Sequence, residues 1–380
     1  MAKKHSVHLV CFARHESEIE FANKLKDRCA SVYVELLPFA PTLIKAGMNF
    51  LGGGSLNMAF YRSRAMQQYV KKLAADVSLQ STVAYALPMA PYAPEGVPVL
   101  LDMQDVDSEK WLEYSRMRRL GSLYKWEALR LRKQELRYAA LVNKTFLTAR
   151  QETELFRELA PLADVECMEN GVDCDFFDPS RVPVLPELTG RRYASFVGTM
   201  DYFPNIDAAV WFARQVLPEL RKLDSEFEFL IVGNNPAKSV LQLAQLPGVT
   251  VTGGVPDVRP YVMQSTAVVA PLRLARGIQN KVLEALVLGR NVFATTPVCK
   301  TFGEEVPSAI VRCDSVGEFV SEINSGRYST VPSAVIREQG VRRFTWSKNL
   351  ELFTSRLEEM MHSEVVTVGH GRGGELDDSI

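Results

Sequence analysis

The sequence predicts an α/β protein built from two doubly wound, Rossmann-like domains that face a cleft, and three observations support this. The chain has 380 residues, which is enough for two domains of ordinary size. Short apolar segments alternate with longer segments of helical periodicity, which is typical of parallel sheets covered by helices. A turn at residues 169–173 and a proline-rich stretch at 178–190 interrupt this alternation, which then begins again.

Each predicted domain contains six short apolar segments that read as strands. In residues 1–170 they are His5–Phe12, Ser31–Leu37, Val83–Ala86, Val97–Leu101, Val142–Leu147 and Val165–Met168. In residues 171–345 they are Ala194–Val197, Phe227–Val232, Val249–Thr252, Ala267–Pro271, Val292–Ala294 and Ile310–Arg312. Helical patterns lie between them, including Glu16–Arg28 and a long charged segment at Glu109–Tyr138. The Gly-rich, charged tail at 364–380 is expected to be disordered.

Composition excludes several classes of function. The formal net charge is −1, so nothing indicates a nucleic-acid partner. The six cysteines form no C-x-x-C pair and no long apolar segment opens the chain, so we expect free thiols in a cytoplasmic protein. None of the five histidines lies between residues 16 and 361, which excludes a Ser-His-Asp triad, a Cys-His pair or an H-E-x-x-H metal site in the body of the fold.

The segment at 277–285 carries the most specific pattern. It follows an apolar strand, and Gly277 opens a helical pattern in which Lys281 and Glu284 fall on the same face as the glycine. A helix N-terminus after a parallel strand suits a phosphate group, because its free N–H groups carry partial positive charge. Lys281 would then reach the phosphate, and Glu284 would accept hydrogen bonds from sugar hydroxyls. The alternative is an ordinary surface Lys–Glu pair.

Several segments together resemble a known family. They are E-N-G-V-D at 169–173, S-F-V-G-T-M-D-Y-F-P-N at 195–205, G-I-Q-N-K-V-L-E-A-L-V-L-G-R-N-V at 277–292, and F-T-W at 344–346. They resemble the family 4 glycosyltransferases of the GT-B fold. The motif D-V-D-S-E-K-W at 105–111 resembles the corresponding segment of sugar transferases of exosortase (PEP-CTERM) and exopolysaccharide gene systems. The resemblance implies a nucleotide-sugar-binding second domain and a helix at 346–363 that crosses back to the first.

The resemblance also implies a donor site and a reaction. A nucleotide-diphosphate-sugar would be the substrate, with no separate cofactor and no metal, and the acceptor would be lipid-linked or a polysaccharide. Retention of configuration is expected, with the leaving phosphate taking the proton of the acceptor. The implied donor-binding residues are Gly198, Thr199, Gly253, Val255, Arg273, Arg276, Gly277, Ile278, Lys281 and Glu284. The alternative for Gly198 and Gly253 is a plain turn at the end of a strand.

Carboxylates after the Val97–Leu101 strand are the candidates for the acceptor side. Asp102 and Asp105 are expected at the carboxyl end of this strand, facing the cleft, where either would orient the acceptor hydroxyl. Asp residues at strand ends are also common helix caps, so this alternative stays open.

Two segments suggest contact with a membrane or with the acceptor. Residues 109–137 carry nine basic and four acidic residues with interleaved aromatic residues, which predicts a surface for anionic lipid headgroups on the inner face of the plasma membrane. The alternative is a solvated helix whose aromatic residues pack on the sheet. Leu43–Tyr61 is an apolar excursion that would enter the interface or line the acceptor path, or would be a simple mobile loop.

The chain also departs from the family pattern. Arg276 stands where the family usually has a glutamate, eight residues before Glu284. The family's first strand and Gly-rich loop have no counterpart before His5–Phe12. A truncated start is therefore expected to lower stability and activity. The alternative function that follows is a catalytically degenerate, GT-B-like nucleotide-binding or scaffold protein.

Overall fold

The computed structural model describes residues 2, 4–117, 120–326 and 331–362. By their contacts they form two compact units. Unit 1 holds residues up to Asp102, Leu141–Lys144 and the described residues from Thr354, and unit 2 holds Met103–Ala140 and Thr145–Phe353. The domain limits 1–170, 171–345 and 346–363 were drawn from the succession of elements, not from contacts, and they stay a prediction. The tail expected to be disordered, 364–380, lies outside the described residues.

Unit 1 contains two separate pairs of parallel strands. Its elements are β1 (His8–Ala13), α1 (Glu16–Asn23), β2 (Ser31–Leu36), α2 (Phe39–Leu51), α3 (Leu56–Phe60), α4 (Arg64–Asp76), β3 (Thr82–Tyr85) and β4 (Val99–Gln104), whose last two residues belong to unit 2. Strand β1 pairs with β2, beginning with His8 opposite Ser31. Strand β3 pairs with β4, beginning with Thr82 opposite Val99.

The segment Leu43–Tyr61 is not a mobile loop, because it contains α3 and most of α2. The two helices pack on each other through Ala46, Ala59 and Phe60. Ser55 caps α3, since its Oγ accepts a hydrogen bond from the Met58 N–H at 3.2 Å. An apolar sequence with three consecutive glycines therefore folds as a helical hairpin.

The remaining elements of unit 2 follow in chain order. The first are α5 (Asp107–Met117), α6 (Gly121–Leu141), β5 (Lys144–Leu147), α7 (Arg150–Leu159) and β6 (Val165–Cys167). The next are β7 (Tyr193–Val197), α8 (Phe203–Trp211), α9 (Leu217–Leu223), β8 (Glu228–Val232), α10 (Lys238–Leu241), β9 (Val249–Gly253), α11 (Arg259–Met263) and β10 (Ala267–Ala270). The last are α12 (Asn280–Val287), β11 (Val292–Ala294), α13 (Thr296–Lys300), β12 (Ile310–Arg312), α14 (Val316–Ser325), α15 (Ser333–Phe344) and α16 (Trp346–His362), whose residues from Thr354 belong to unit 1.

The single long helix expected at Glu109–Tyr138 is in fact two helices, α5 and α6. Arg118 and Arg119, between them, lie outside the described residues. Leu120 has φ of 67°, a left-handed backbone conformation that ends a helical run. Buried Glu135 ties the helices together, because its carboxylate accepts hydrogen bonds from the Ser108 N–H at 2.8 Å and from the Ser108 hydroxyl. Burial raises the pKa of Glu135 to about 7.

The main sheet of unit 2 has six parallel strands in the order β12-β11-β10-β7-β8-β9. Its central strands are apolar runs buried on both faces, as parallel sheets require. Helices cover it with a large core in which the rings of Phe212 and Phe229 lie 4.5 Å apart between centroids. Local signals agree with this packing: Ser315 and Glu318 form a capping box at the start of α14, and Gly326 ends it with φ of 64°.

Candidate donor-binding site

The strand order of the six-stranded sheet creates one point where the chain changes direction. From β7 the chain continues to β8 and β9 on one side, whereas β10 continues to β11 and β12 on the other. Ligands of open parallel sheets bind in the crevice at the carboxyl ends of the strands beside such a switch point. Here that crevice lies between the loop after β7, which begins at Gly198, and the loop after β10, which leads to α12.

Gly198 lies directly after β7, at the start of the loop that borders this crevice. Its N–H donates to the Val232 carbonyl at 3.0 Å, which continues the pairing of β7 with β8. A Cβ atom added at Gly198 would lie 2.8 Å from Asn205 Nδ2 and 3.0 Å from Lys281 Nζ. A Cβ atom at Gly233, whose φ is 149°, would lie 1.8 Å from the Gly198 carbonyl oxygen. Glycine is therefore needed at Gly233 for close backbone approach, whereas a side chain at position 198 would displace Asn205 and Lys281. The neighbouring Thr199 is exposed.

The Lys281 ammonium lies beside Gly198 in this crevice. Its Nζ donates a hydrogen bond of 2.6 Å to Asn205 Oδ1 and lies 4.4 Å from the centroid of the Phe196 ring. The Asn205 amide is itself oriented, because Nδ2 donates to the Thr199 carbonyl at 2.9 Å. Burial lowers the pKa of Lys281 to about 7, with only Glu284 acting in the opposite direction.

Helix α12 begins three residues later than the sequence pattern indicated. Gln279 is its N-terminal cap, and the Gln279 carbonyl accepts the Val282 N–H at 2.9 Å. Gly277 and Ile278 therefore belong to the preceding loop, so the prediction that Gly277 shares a helical face with Lys281 was wrong. Apolar periodicity continued through the loop because Ile278 is buried like the helical residues after it. Lys281 and Glu284 remain one turn apart on α12, and burial raises the pKa of Glu284.

A cavity of about 210 Å³ lies where the loop after β10 meets the loop after β4. It is lined by Gln104, Asp105, Lys110, Glu113, Tyr114, Thr148, Asn170, Tyr202, Pro204 and Leu274–Gln279. Asp105 Oδ1 packs directly on Gly277, since a Cβ atom there would lie 2.5 Å from it. Burial raises the pKa of Asp105 to about 6, opposed by the nearby Lys110 ammonium. The structure thus brings together Asp105, Arg276, Gly277 and Ile278 from the predicted site.

Asp102 has a different setting from Asp105. Strand β4 extends to Gln104 and not only to Leu101, so Asp102 lies inside the strand and not at its end. Its carbonyl accepts the Ala86 N–H at 2.7 Å, its side chain is buried, and it belongs to unit 1. The expected pairing of Asp102 with Asp105 at one strand end is therefore corrected, and only Asp105 lines the cavity.

Arg276 forms ion pairs on its terminal nitrogens. Nη1 donates to the buried Glu152 at 3.0 Å, and Nη2 contacts Glu109 at 3.2 Å and Glu113 at 2.6 Å. Glu152 also accepts the Val106 N–H at 2.9 Å, so it connects α7, the start of α5 and the loop after β10. Although burial lowers it, these carboxylates hold the pKa of Arg276 above its ordinary value. The Arg276 Nε is buried without a hydrogen-bond partner among the described residues.

Three other predicted residues lie away from this cavity or are already paired. Arg273 donates from Nε to Asp207 Oδ2 at 2.8 Å. Gly253 ends β9 with φ of 68°, and its carbonyl accepts the Gly233 N–H at 3.0 Å. Val255 packs against Tyr193, Leu230 and Val232. Gly253 and Val255 thus lie at the β8–β9 side of the sheet, and their role in donor binding stays a prediction.

Two of the quoted motifs meet in space. A Cβ atom at Gly171 would lie 2.6 Å from the Trp346 ring, and Val172 forms an isolated parallel bridge with Thr345. The E-N-G-V-D turn is therefore packed against F-T-W at the start of α16. Asn170 donates to Asn280 Oδ1 at 3.0 Å, which connects this turn to the first residue of α12.

Comparison with known proteins agrees with this geometry. Residues 191–325, which contain β7 to β12, match a family model described as glycosyl transferases group 1. Sucrose-phosphate synthase from Thermosynechococcus elongatus superposes with a TM-score of 0.63 at 11% identity, covering 93% of this chain and 99% of that one. The chain has the GT-B fold. The family match and the fold together support a place in the glycosyltransferase superfamily. No curated protein matches this chain in sequence.

Two further GT-B structures show how far the similarity extends. Anabaena Alr3699/HepE, solved in complex with UDP and glucose, gives a TM-score of 0.61 at 10% identity and covers 93% of this chain and 99% of that one. TarM of S. aureus gives 0.58 at 13% identity and covers 81% of this chain, which spans only 58% of the length of TarM. At such identities the similarity establishes the fold and not the substrate.

Asn205 was not among the residues predicted for the site, although it is the last residue of the quoted S-F-V-G-T-M-D-Y-F-P-N motif. Its contact with Lys281 joins residues 76 positions apart, so no local spacing indicated it. Among the described residues, no group of His, Cys, Asp or Glu side chains could hold a metal ion. In the same residues no helix is long and apolar enough to cross a membrane, and the six cysteines are free.

Proposed function

We propose that this protein transfers a sugar from a nucleotide-diphosphate-sugar to a lipid-linked or exopolysaccharide acceptor. The observation that carries the proposal is Lys281, a half-buried lysine at the switch point of the sheet whose Nζ contacts Asn205 Oδ1 and the Phe196 ring, with no carboxylate within salt-bridge distance among the described residues. An anionic diphosphate would supply the negatively charged partner that this ammonium lacks. The group 1 match over residues 191–325 and the UDP and glucose bound by HepE support the same ligand class.

Each site residue would have a separate role in binding the donor or the acceptor. Lys281 and the backbone amides at Gly277 and Ile278 would bind the phosphates, and Gly198 with Thr199 would let the diphosphate approach the chain. Glu284 would accept hydrogen bonds from the ribose hydroxyls. Asp105, in the adjoining cavity, would orient the acceptor hydroxyl. We propose a retaining and metal-independent reaction in which the leaving phosphate takes the proton of the acceptor.

We further propose that α6 places the enzyme on anionic lipid, as for sugar transferases of exosortase and exopolysaccharide systems. Trp126, Leu129, Lys133 and Arg137 are exposed and share one face of α6. Because exposed charge is screened by salt, binding to phosphatidylglycerol vesicles should fall as ionic strength rises. Replacing Lys133 and Arg137 by Glu should abolish the part of the binding that is lost at high salt. If the variant and the wild type bind equally at low salt, the assignment is contradicted.

A donor screen tests the main proposal. Calorimetric titration of the full chain with UDP, GDP, ADP and dTDP should identify one nucleotide diphosphate that binds, and the matching nucleotide sugar should be turned over with a membrane extract as acceptor. Gly198→Ala should prevent binding, because the new methyl group would displace Lys281 and Asn205. Gly317→Ala is the matched control, since a Cβ atom at Gly317 meets nothing within 4 Å. Absence of binding to every nucleotide would reject the proposal.

The second candidate is a nucleotide-binding scaffold without transferase activity. Arg276 favours it, because an arginine bound to three carboxylates occupies the position where the resembled family usually has a glutamate. The same screen separates the two candidates. A scaffold would bind the nucleotide but release no free nucleotide diphosphate from any nucleotide sugar, whereas a transferase would release it in proportion to acceptor.

A further inference from the structure

Helix α2 presents an apolar surface that the nucleotide site does not explain. Five of its large apolar side chains are 41% to 87% exposed; these define the α2 surface, namely Phe39, Leu43, Ile44, Met48 and Leu51. The other side of the helix is already packed, since Thr42 and Ala46 are buried. The α2 surface therefore remains open after α2 has joined its own unit, and such contiguous exposed patches mark interaction sites.

The chain segment that contains α2 carries charge of one sign. Residues 36–75 contain no Asp or Glu, and they carry five basic residues, all exposed: Lys45, Arg62, Arg64, Lys71 and Lys72. Lys45 lies within α2 itself, and its Nζ donates to the Arg62 carbonyl at 3.1 Å. Basic residues therefore adjoin the α2 surface at Lys45 and Arg62, and this combination matches a membrane interface whose headgroups are anionic.

The same charges argue against a second copy of this chain as the occupant. A two-fold contact through the α2 surface would place the same patch against itself, which brings the basic residues of both copies together. Like charges facing each other across an interface are unfavourable. An anionic bilayer has the opposite charge and an apolar layer directly beneath it, so both properties of the surface are matched.

We propose that α2 docks on an anionic lipid bilayer, with the α2 surface in the boundary between headgroups and acyl chains. Lys45 and Arg62 would meet the headgroups. The apolar contact of α2 would keep part of the binding at high salt, whereas the binding expected of α6 rests on exposed charge and would be lost there. The proposal does not depend on sugar transfer, since no residue of the donor site contributes to it.

Vesicle binding by the full chain tests this assignment. Sedimentation with vesicles of phosphatidylglycerol and phosphatidylcholine at high salt should show binding by the wild type. The double variant Ile44→Ser/Leu51→Ser should bind at least about tenfold more weakly, because two large apolar side chains no longer enter the lipid. Both side chains are exposed, so folding is preserved, as equal melting temperatures would verify. Phe21→Ser is the matched control, since Phe21 is 65% exposed on the acidic helix α1 and should make no difference.

Hydrogen–deuterium exchange on the wild type provides a readout without substitution. Amides of 39–51 should become protected when vesicles are added, while those of 16–23 should not. Unchanged exchange at 39–51, or equal binding by the double variant and the wild type, would overturn the proposal. A wild-type dimer in sedimentation velocity that the double variant converts to monomer would overturn it in favour of self-association. Nucleotide titration of the same variants shows whether the donor site is intact, so loss of lipid binding can be distinguished from failure of the donor site.

Discussion

Lys281 and Arg276 are two cations on either side of one short loop, and their surroundings are opposite. Arg276 contacts three carboxylates, which hold its pKa above the ordinary value. Lys281 contacts an amide oxygen and an aromatic ring, and burial lowers its pKa to about 7. In the sequence both are basic residues next to a glycine turn, and both were predicted to bind phosphate.

The difference shows that the sequence position of a basic residue does not predict whether its positive charge is available to a ligand or is already neutralised by carboxylates of the protein. The terminal nitrogens of Arg276 are neutralised by the protein, so its role is to hold α5, α7 and the loop after β10 together through Glu152. Lys281 is held in a costly environment that a bound anion would relieve. We therefore expect Arg276 to determine stability and Lys281 to determine binding, and the following predictions test that division.

The largest effect should come from Arg276→Met. Removal of the guanidinium leaves the carboxylates of Glu109, Glu113 and the buried Glu152 without their cation, which should lower the free energy of unfolding by about 3 kcal/mol. Nucleotide affinity in the folded variant should change little. Chemical denaturation and calorimetric titration measure the two quantities; a large loss of affinity with unchanged stability would reverse the assigned roles.

Lys281→Met should give the opposite result. Affinity for the nucleotide diphosphate should fall by about 1.5–3 kcal/mol, because a charge-assisted contact with phosphate is lost. Affinity for the nucleoside alone should not change, and stability should stay the same or rise because a buried charge is removed. Equal losses for the diphosphate and the nucleoside would show that Lys281 does not contact the phosphates.

Glu284→Ala tests the other polar group of α12. If its carboxylate accepts ribose hydroxyls, affinity for both nucleoside and nucleotide should fall by about 1.5 kcal/mol. Glu284→Gln should retain part of this affinity, since the amide oxygen still accepts a hydrogen bond. Calorimetry on folded variants provides the measurement, and unchanged affinity in Glu284→Ala would remove the ribose assignment.

The pH dependence should be the smallest effect and the most specific. Because burial lowers the pKa of Lys281 to about 7 and the diphosphate binds the protonated amine, affinity should weaken as pH rises above 7, by up to about tenfold per unit. Lys281→Arg should bind with a flat profile over pH 7–9, since arginine remains charged. A wild-type profile as flat as that of the arginine variant would show that Lys281 is not the titrating group.

The strands were predictable from sequence for a simple physical reason. Each of the twelve predicted segments has a counterpart within a few residues of its expected limits. In the centre of the six-stranded sheet the reason is burial on both faces, which makes a strand a continuous apolar run. Helix limits were less predictable. Ile278 keeps the apolar period through a loop, and Leu120 breaks a helix through a left-handed backbone conformation that its residue type does not favour.

The site could be predicted only in part, because its decisive contacts are remote in sequence. The loop after β10 and the lysine on α12 were recognisable as motifs. The partners of Arg276 lie as far as 167 positions away, and nothing in the local sequence indicated that they would neutralise it. Asp105 and Gly277 were proposed for different substrates, and their direct packing follows only from the tertiary structure.

The contact between Gly198 and Gly233 has a consequence for how this protein can change during evolution. A Cβ atom at Gly233 would meet the Gly198 carbonyl oxygen, whereas a Cβ atom at Gly198 would meet the side-chain ends of Asn205 and Lys281. Because the obstacle at Gly233 is backbone, a saturation library should tolerate only glycine there, whereas a larger residue at Gly198 should be accommodated only by displacing Asn205 and Lys281. Thr199 and Asp201 are exposed beside them. Divergence toward a new donor would therefore begin at these two side chains, while the glycine pair remains fixed.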